Sequence, residues 1–193
     1  MRERGLASAL AVLAEDGVAG LTTRTVAQRS SASLPAIYEV FGDKAGLIRE
    51  VFFEGFRLLG DELAEAVPAE DPLDALRELA ESFRRFVLAN PVLAQVMFSR
   101  PFADFVPTPE DDKAGVAVRK IFVRRVRAAV DAGRLAGDPV DIAQVLFAFV
   151  EGLASAESAQ RMGASRQSVD RRWRLGLNAL LTGLSAGRAS APE

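Results

Sequence analysis

The chain contains no cysteine and no histidine among its 193 residues. Without cysteine there are no disulfides and no thiolate ligands or nucleophiles, which suits a reducing, cytoplasmic setting. Without histidine there is no imidazole base, no histidine metal ligand and no side chain that titrates near neutrality unless its pKa is shifted. No cofactor or metal site is therefore expected, and the shortage of hydrolytic machinery argues against an enzyme. No stretch approaches about 18 apolar residues free of charge, so neither a membrane span nor a membrane partner is expected. The N-terminal MRERGLASALAVLAEDG has some look of a secretion signal. Its Leu6, Leu10 and Leu13 recur at helical spacing, however, and Glu15-Asp16 follow at once, as in an amphipathic helix. Charge of either sign is not in excess: the net charge is −2, and the first 50 residues carry cations and carboxylates in equal number. Binding to a polyanion would have to come from local placement of Arg24, Arg29 and Lys44, with Arg2 and Arg4.

What is present is a globular composition, 49% hydrophobic and 26% charged. The most informative stretch is residues 21–48, LTTRTVAQRSSASLPAIYEVFGDKAGLI. Thr22 or Thr23 is placed to cap one short helix, since a threonine hydroxyl accepts from a free N–H of the first turn. Val26 and Ala27 give that helix a small apolar face. The small, polar residues 30–33 interrupt the helical period as a turn does. Ser33 is placed to cap a second helix with Pro35 in its first turn, and Ile37 and Phe41 share one face of it. Asp43, behind Gly42, caps a third. Helix, tight turn, helix is the geometry that lays a second helix in the DNA major groove.

Thr22-Thr23-Arg24, Val26-Ala27, Ser33-Leu34-Pro35, Ile37-Tyr38, Phe41 and Lys44 resemble, in order and spacing, the tetracycline-repressor (TetR) family. The resemblance implies a DNA-binding transcriptional regulator whose second hairpin helix, residues 33–41, enters the major groove of double-stranded DNA. Thr22, Thr23, Arg24, Ser33, Leu34, Pro35, Ala36, Tyr38 and Lys44 are then the DNA-binding residues. Arg24 suits a guanine edge or a phosphate, Leu34, Pro35 and Ala36 offer apolar surface to thymine methyls, and Tyr38 and Lys44 hold phosphates. Ser31 stands where the family usually has glycine, and Glu39 adds an anion to the reading helix.

Beyond the hairpin the pattern remains all-α, with no strand and no internal repeat. Helices are expected over residues 2–16, ended by Gly17, and from Lys44 to about Ala66, continuous with the reading unit. Breaks at Pro68 and Pro72 precede helices over 73–89 and, behind the cap Asn90-Pro91, through Phe98. A Pro-rich loop follows Arg100, and the remaining helices run from Thr108 to about Ala132, Asp138 to about Met162, and Ser165 or Ser168 to about Leu184. This predicts a helix-turn-helix domain over 1–46, a helical ligand-binding and dimerisation domain over 47–187, and a frayed tail over 188–193. The second half also resembles the Trp-His-Gly type of C-terminal domain, with Val150-Glu151-Gly152 in place of His-Gly.

Phe83, Phe86, Phe98, Phe102, Phe105, Phe122, Phe147 and Glu151 are the candidate ligand-binding residues, because converging aromatics line pockets for apolar molecules. For any single phenylalanine an ordinary core position is the better reading; Phe102 and Phe105, in the loop, are the leading pocket candidates. Glu151 is either a buried carboxylate with a raised pKa or a surface residue at a dimer edge. The run Arg119, Lys120, Arg124, Arg125, Arg127 reads as a solvated helix face. Val145, Phe149, Leu153, Trp173, Leu177, Leu180, Leu181 and Leu184 are the candidate homodimer interface, with Gly152, Gly176 and Gly183 allowing close helix approach. The function expected is a repressor that binds a palindromic operator as a homodimer and is released by a small apolar ligand. The alternative is an all-helical enzyme or carrier for an apolar molecule, with Glu151 and Arg100 doing its polar work.

Overall fold

The computed structural model describes residues 1–65, 69–99, 101–103 and 105–185. Every regular element among them is helical, as the periodicity predicts. By packing, the chain divides into two units, residues 1–58 with 89–116 and residues 59–88 with 117–193.

In the first unit, α1 (Arg2–Gly20) breaks at Gly17, whose φ of 69° lies in the left-handed region, and residues 18–20 add one more turn. Its buried stripe is Ala9, Val12 and Leu13. The Thr22 hydroxyl accepts from the Thr25 N–H at 3.0 Å and starts α2 (Thr23–Arg29). The Ser30 hydroxyl donates back to the Val26 carbonyl at 2.7 Å. The turn then passes through Ser31 at φ 52°. Ser33 accepts from the Ala36 N–H at 3.3 Å, opening α3 (Leu34–Phe41) with Pro35 in its first turn and Ile37 and Phe41 buried. Asp43 accepts from the Gly46 N–H at 2.7 Å at the start of α4 (Lys44–Ala64). The capping signals in the sequence thus translate into bonds one for one.

Also in this unit are α6 (Pro91–Ala94) and a π-turn, Gln95–Ser99, that continues it. Asn90 makes no side-chain capping bond, so the expected Asn90 cap is replaced by Pro91 alone, which needs none for its absent N–H. Gly55 of α4 gives Met97 room, since a Cβ there would lie 2.7 Å from the Met97 sulfur. The loop after residue 100 ends in a 3-10 turn, Asp111–Gly115. The helix expected from Thr108 is therefore α-helical only from Val116.

The second unit is built from the end of α4 with α5 (Pro72–Ala89), α7 (Val116–Asp131), α8 (Pro139–Ser158) and α9 (Arg166–Gly183). Asp138 accepts from Val140 and Asp141 to start α8, and Ser165 accepts from Ser168 to start α9. α8 stops at Ser158, short of Met162, because the chain turns through Gln160 at φ 57° and Gly163 at φ 102°. Arg172 donates to the Met162 carbonyl at 2.5 Å and secures that turn. By length and mean hydropathy (1.3) α8 meets the requirement for a bilayer span. Its Ile142, Ala143, Leu146, Val150 and Ala154 are instead buried in the protein.

Packing groups the chain differently from the expected functional domains: residues 47–58 and 89–116 fall in one compact unit with residues 1–46. The expected helix end at Ala66, the break at Pro68, the role of Arg100 and the tail 188–193 fall outside the described residues.

Ser31 is a non-glycine residue in left-handed backbone, which costs roughly 1–2 kcal/mol. Replacing it by glycine adds about 0.4–1 kcal/mol of unfolded-chain freedom. Ser31→Gly should therefore raise stability by about 0.5–1 kcal/mol in denaturant titrations.

Candidate nucleic-acid interface

The residues expected to meet DNA divide into an outer and an inner set. Arg24, Ser33, Pro35 and Tyr38 are exposed, Tyr38 by 45%. Thr22, Leu34, Ala36 and Lys44 are half-buried. Thr23 is only 8% exposed, and its hydroxyl donates to the Tyr38 hydroxyl at 3.4 Å. Thr23 is thus corrected from a surface contact to a brace, standing behind Tyr38 and tying α2 to α3. Thr22 has its hydroxyl occupied as a helix cap and by the Thr25 hydroxyl at 2.7 Å.

Carboxylates claim two of the nearby cations. Arg2 pairs with Glu50 at 2.5 Å, and Arg29 pairs with Glu15. The Glu15 hydrogen bond is the main influence raising the Arg29 pKa. The sequence reading therefore loses Arg2 and Arg29 as ready phosphate contacts. Arg24 is exposed and makes no hydrogen bond or ion pair among the described residues. Lys44 places its ammonium 5.7 Å from the centre of the Phe102 ring.

That ring belongs to a fastening the sequence does not announce. The loop after Pro101 is pinned to α4 at three places. Phe102 lies under Lys44; Phe105 packs edge-on to Phe52 at 5.6 Å and meets the Arg49 guanidinium at 5.5 Å; and Asp111 accepts from Arg49 at 2.8 Å. Asp111 is 2% exposed and also accepts from the Thr108 N–H and hydroxyl at 2.8 and 2.9 Å. Burial pushes its carboxyl pKa upward, but the Thr108 bonds and Arg49 outweigh it and leave the pKa below the ordinary value.

The expected ligand residues are divided between the units. Phe98, Phe102 and Phe105 lie in the first, with Phe98 edge-on to Phe56 at 5.6 Å. Phe102 and Phe105 pack on α4 through Lys44, Arg49 and Phe52. In the second unit Phe83, Phe122 and Phe147 form a mutually edge-on triad with centroids 5.4–6.5 Å apart. Phe86 is buried in the same unit. Glu151, one turn beyond Phe147 on α8, is half-buried, and desolvation raises its pKa.

Three of the expected dimer residues, Trp173, Leu177 and Leu181, are buried within the single chain. They belong to the core of the second unit. The Trp173 indole N–H donates to Glu157 at 2.6 Å, and Arg84, buried beneath it, bonds Glu157 through two nitrogens at 2.8 Å and Asp170 at 2.6 Å. Burial alone would lower the Arg84 pKa; the two carboxylates reverse that and raise it. Phe149, Leu153, Leu180 and Leu184 are half-buried and Val145 is 51% exposed. Gly176 lets α9 approach Phe149, whose ring would lie 2.7 Å from a Cβ there. Nothing lies within 4 Å of a Cβ at Gly152 or Gly183, so those positions face outward. The exposed Val140 and Leu175 (69% exposed) lie on the same two helices. In the basic run, Lys120, Arg124 and Arg127 are exposed, as a solvated face requires.

Residues 6–51 match the family described as bacterial regulatory proteins, tetR family. Residues 76–180 match the family described as tetracyclin repressor-like, C-terminal domain. The tetracycline repressor protein class A from transposon 1721 of Escherichia coli is 28% identical over 153 residues, 79% of this chain and 64% of that protein. The chain thus spans less than two thirds of that relative's length. A Rhodococcus sp. RHA1 structure of unknown function is 29% identical, with a TM-score of 0.81 and 95% of each chain covered. Streptomyces coelicolor ActR, solved in complex with (S)-DNPA, shares the fold at 22% identity and a TM-score of 0.69, covering 97% of this chain and 98% of that one.

The Asp111 carboxyl, held below its unfolded pKa, contributes stability above about pH 4 that is lost as pH falls through its folded pKa. Asp111→Asn should cost about 1.5–3 kcal/mol near neutrality. The gap should close on acidification, as read by denaturant titrations across a pH series.

Proposed function

Because the chain belongs to the tetracycline-repressor family, we propose that it is a repressor that binds a palindromic operator as a homodimer and is released by a small apolar ligand. The observation that carries the reading is the outer face of the α2–α3 hairpin. There Arg24 and Tyr38 project beside Ser33 and Pro35, while neighbouring arginines are neutralised by carboxylates. Arg24 takes a guanine edge or an adjacent phosphate, its planar fork matching the O6/N7 pair. Tyr38, braced by Thr23, and Lys44 take phosphates, which position the protein without specifying sequence. Leu34, Pro35 and Ala36 give thymine methyls an apolar neighbour, and the remaining specificity comes from DNA shape.

So few free cations make one reading head weak, because each phosphate neutralised contributes through counterion release. Two heads on one two-fold dimer read two half-sites about one helical turn (~34–36 Å) or a multiple apart. The outward positions of α8 and α9, with Val145, Gly152, Leu175 and Gly183 and the half-buried Phe149, Leu153, Leu180 and Leu184, supply the apolar surface for that dimer. The ligand-binding domain takes its molecule at Phe83, Phe86, Phe122 and Phe147, with Glu151 as the polar contact. Ligand acts by binding better to a state in which α4 is tilted, and it shifts the equilibrium only by that difference in affinity.

Selection from random-sequence DNA should recover a palindrome. On that sequence Arg24→Ala should weaken binding by about 1–3 kcal/mol and relax preference at one base position. Tyr38→Phe should weaken binding evenly across sequences. Unchanged affinity in both folded variants would contradict the assignment.

A further inference from the structure

The first unit contains a cavity that the DNA-reading hairpin and the aromatic triad leave unused. Its volume is about 180 Å³, and it lies among Leu10, Leu13 and Ala14 of α1, Leu58 of α4, and residues 89–93, which join α5 to α6. Leu13 and Leu93 are buried and form its floor; Ala14, Ala89 and Pro91 are exposed and form its rim. No charged side chain lines it, and Asn90, half-buried, is the one polar side chain in the wall.

We propose that this cavity is a small-molecule site separate from the aromatic one, taking a neutral ring compound with a single hydrogen-bonding group. Its size sets the class. An apolar cavity of about 150 Å³ holds a benzene molecule, whereas drug-sized ligands need roughly 300–1,000 Å³. A single substituted ring therefore fills it. An ion is excluded because no countercharge offsets its desolvation. The Asn90 amide has two donor and two acceptor positions, so it can take a phenolic or alcoholic hydroxyl beside the partner it already has.

Occupancy joins α1 to α6, and α1 also touches the reading helix. A Cβ at Gly5 of α1 would lie 2.8 Å from the Phe41 ring of α3, so α1 cannot shift without moving that ring. A molecule in the cavity braces α1 and so steadies α3. This consequence rests on the DNA-reading proposal; occupancy itself does not, and its test involves no DNA.

The probe is p-cresol, titrated calorimetrically into the whole protein and followed by methyl NMR. Saturable binding is expected, with nuclear Overhauser contacts from the ring to the methyls of Leu13 and Leu93. Leu58→Phe, which fills the cavity, and Ala14→Trp, which covers its rim, should each weaken binding by about tenfold or more, equivalent to about 1.4 kcal/mol. Arg127→Ala, on the exposed face of α7 in the second unit, should leave it unchanged. If a filling variant does not fold, the Overhauser contacts in the unaltered protein decide. Absence of saturable binding up to the probe's solubility, or contacts to the Phe147 region in place of Leu13 and Leu93, would overturn the proposal.

Discussion

An eight-residue helix is not stable in water by itself, since the cost of nucleating it exceeds what so few hydrogen bonds return. The reading helix α3 exists because Ile37 and Phe41 are buried against a helix that offers no side chain at the contact. Gly5 is that gap: the Phe41 ring occupies the space where a Cβ would be. With one face sunk to this depth, Tyr38 and Pro35 must stand outward. The caps at Thr22 and Ser33 and the strained turn at Ser31 are consistent with this docking, but none of them could produce it alone. Every DNA contact proposed for α3 depends on where that helix is set by this one close approach.

A second layer of support comes from residues far along the chain. Phe102, Phe105 and Asp111 secure the start of α4, the helix that carries Lys44. The reading unit thus includes segments about as remote in sequence as a small domain is long. Its electrostatics follow the same economy. Glu15 and Glu50 neutralise Arg29 and Arg2, stabilising the unit while Arg4 and Arg24 have no carboxylate partner among the described residues. A reading unit built this way has little non-specific attraction, and under the proposed two-fold dimer the second head makes up for it.

How much of this was legible in the sequence follows the range of the interactions. Caps act over three residues and left-handed turns over one, so Thr22, Ser33, Asp43, Ser165, Gly17 and even the conformation at Ser31 were readable from local pattern. Burial of Ile37 and Phe41 was readable from their spacing. The Arg49–Asp111 pair joins residues 62 positions apart, and Arg84 reaches Glu157 and Asp170 across 73 and 86. No local signal announces partners at that distance. The aromatics show the same limit: hydrophobicity says that Phe83 and Phe105 are buried, but not that one joins a triad and the other clamps α4. Trp173, Leu177 and Leu181 looked like an interface because a helix stripe has the same period whether its own chain or a second one covers it. The Ala14–Leu93 cavity left no trace in sequence, since space has no residue code.

The most direct test of the account is the operator affinity of Gly5→Ala, measured by fluorescence anisotropy alongside circular dichroism. The added methyl must displace the Phe41 ring, an overpacking that costs about 1–3 kcal/mol. If the docking of α3 governs recognition, affinity for the selected palindrome should fall by about tenfold or more while helical content stays the same. Undiminished affinity in a fully folded variant would contradict it, and would mean that the reading helix is positioned by something other than its contact with α1.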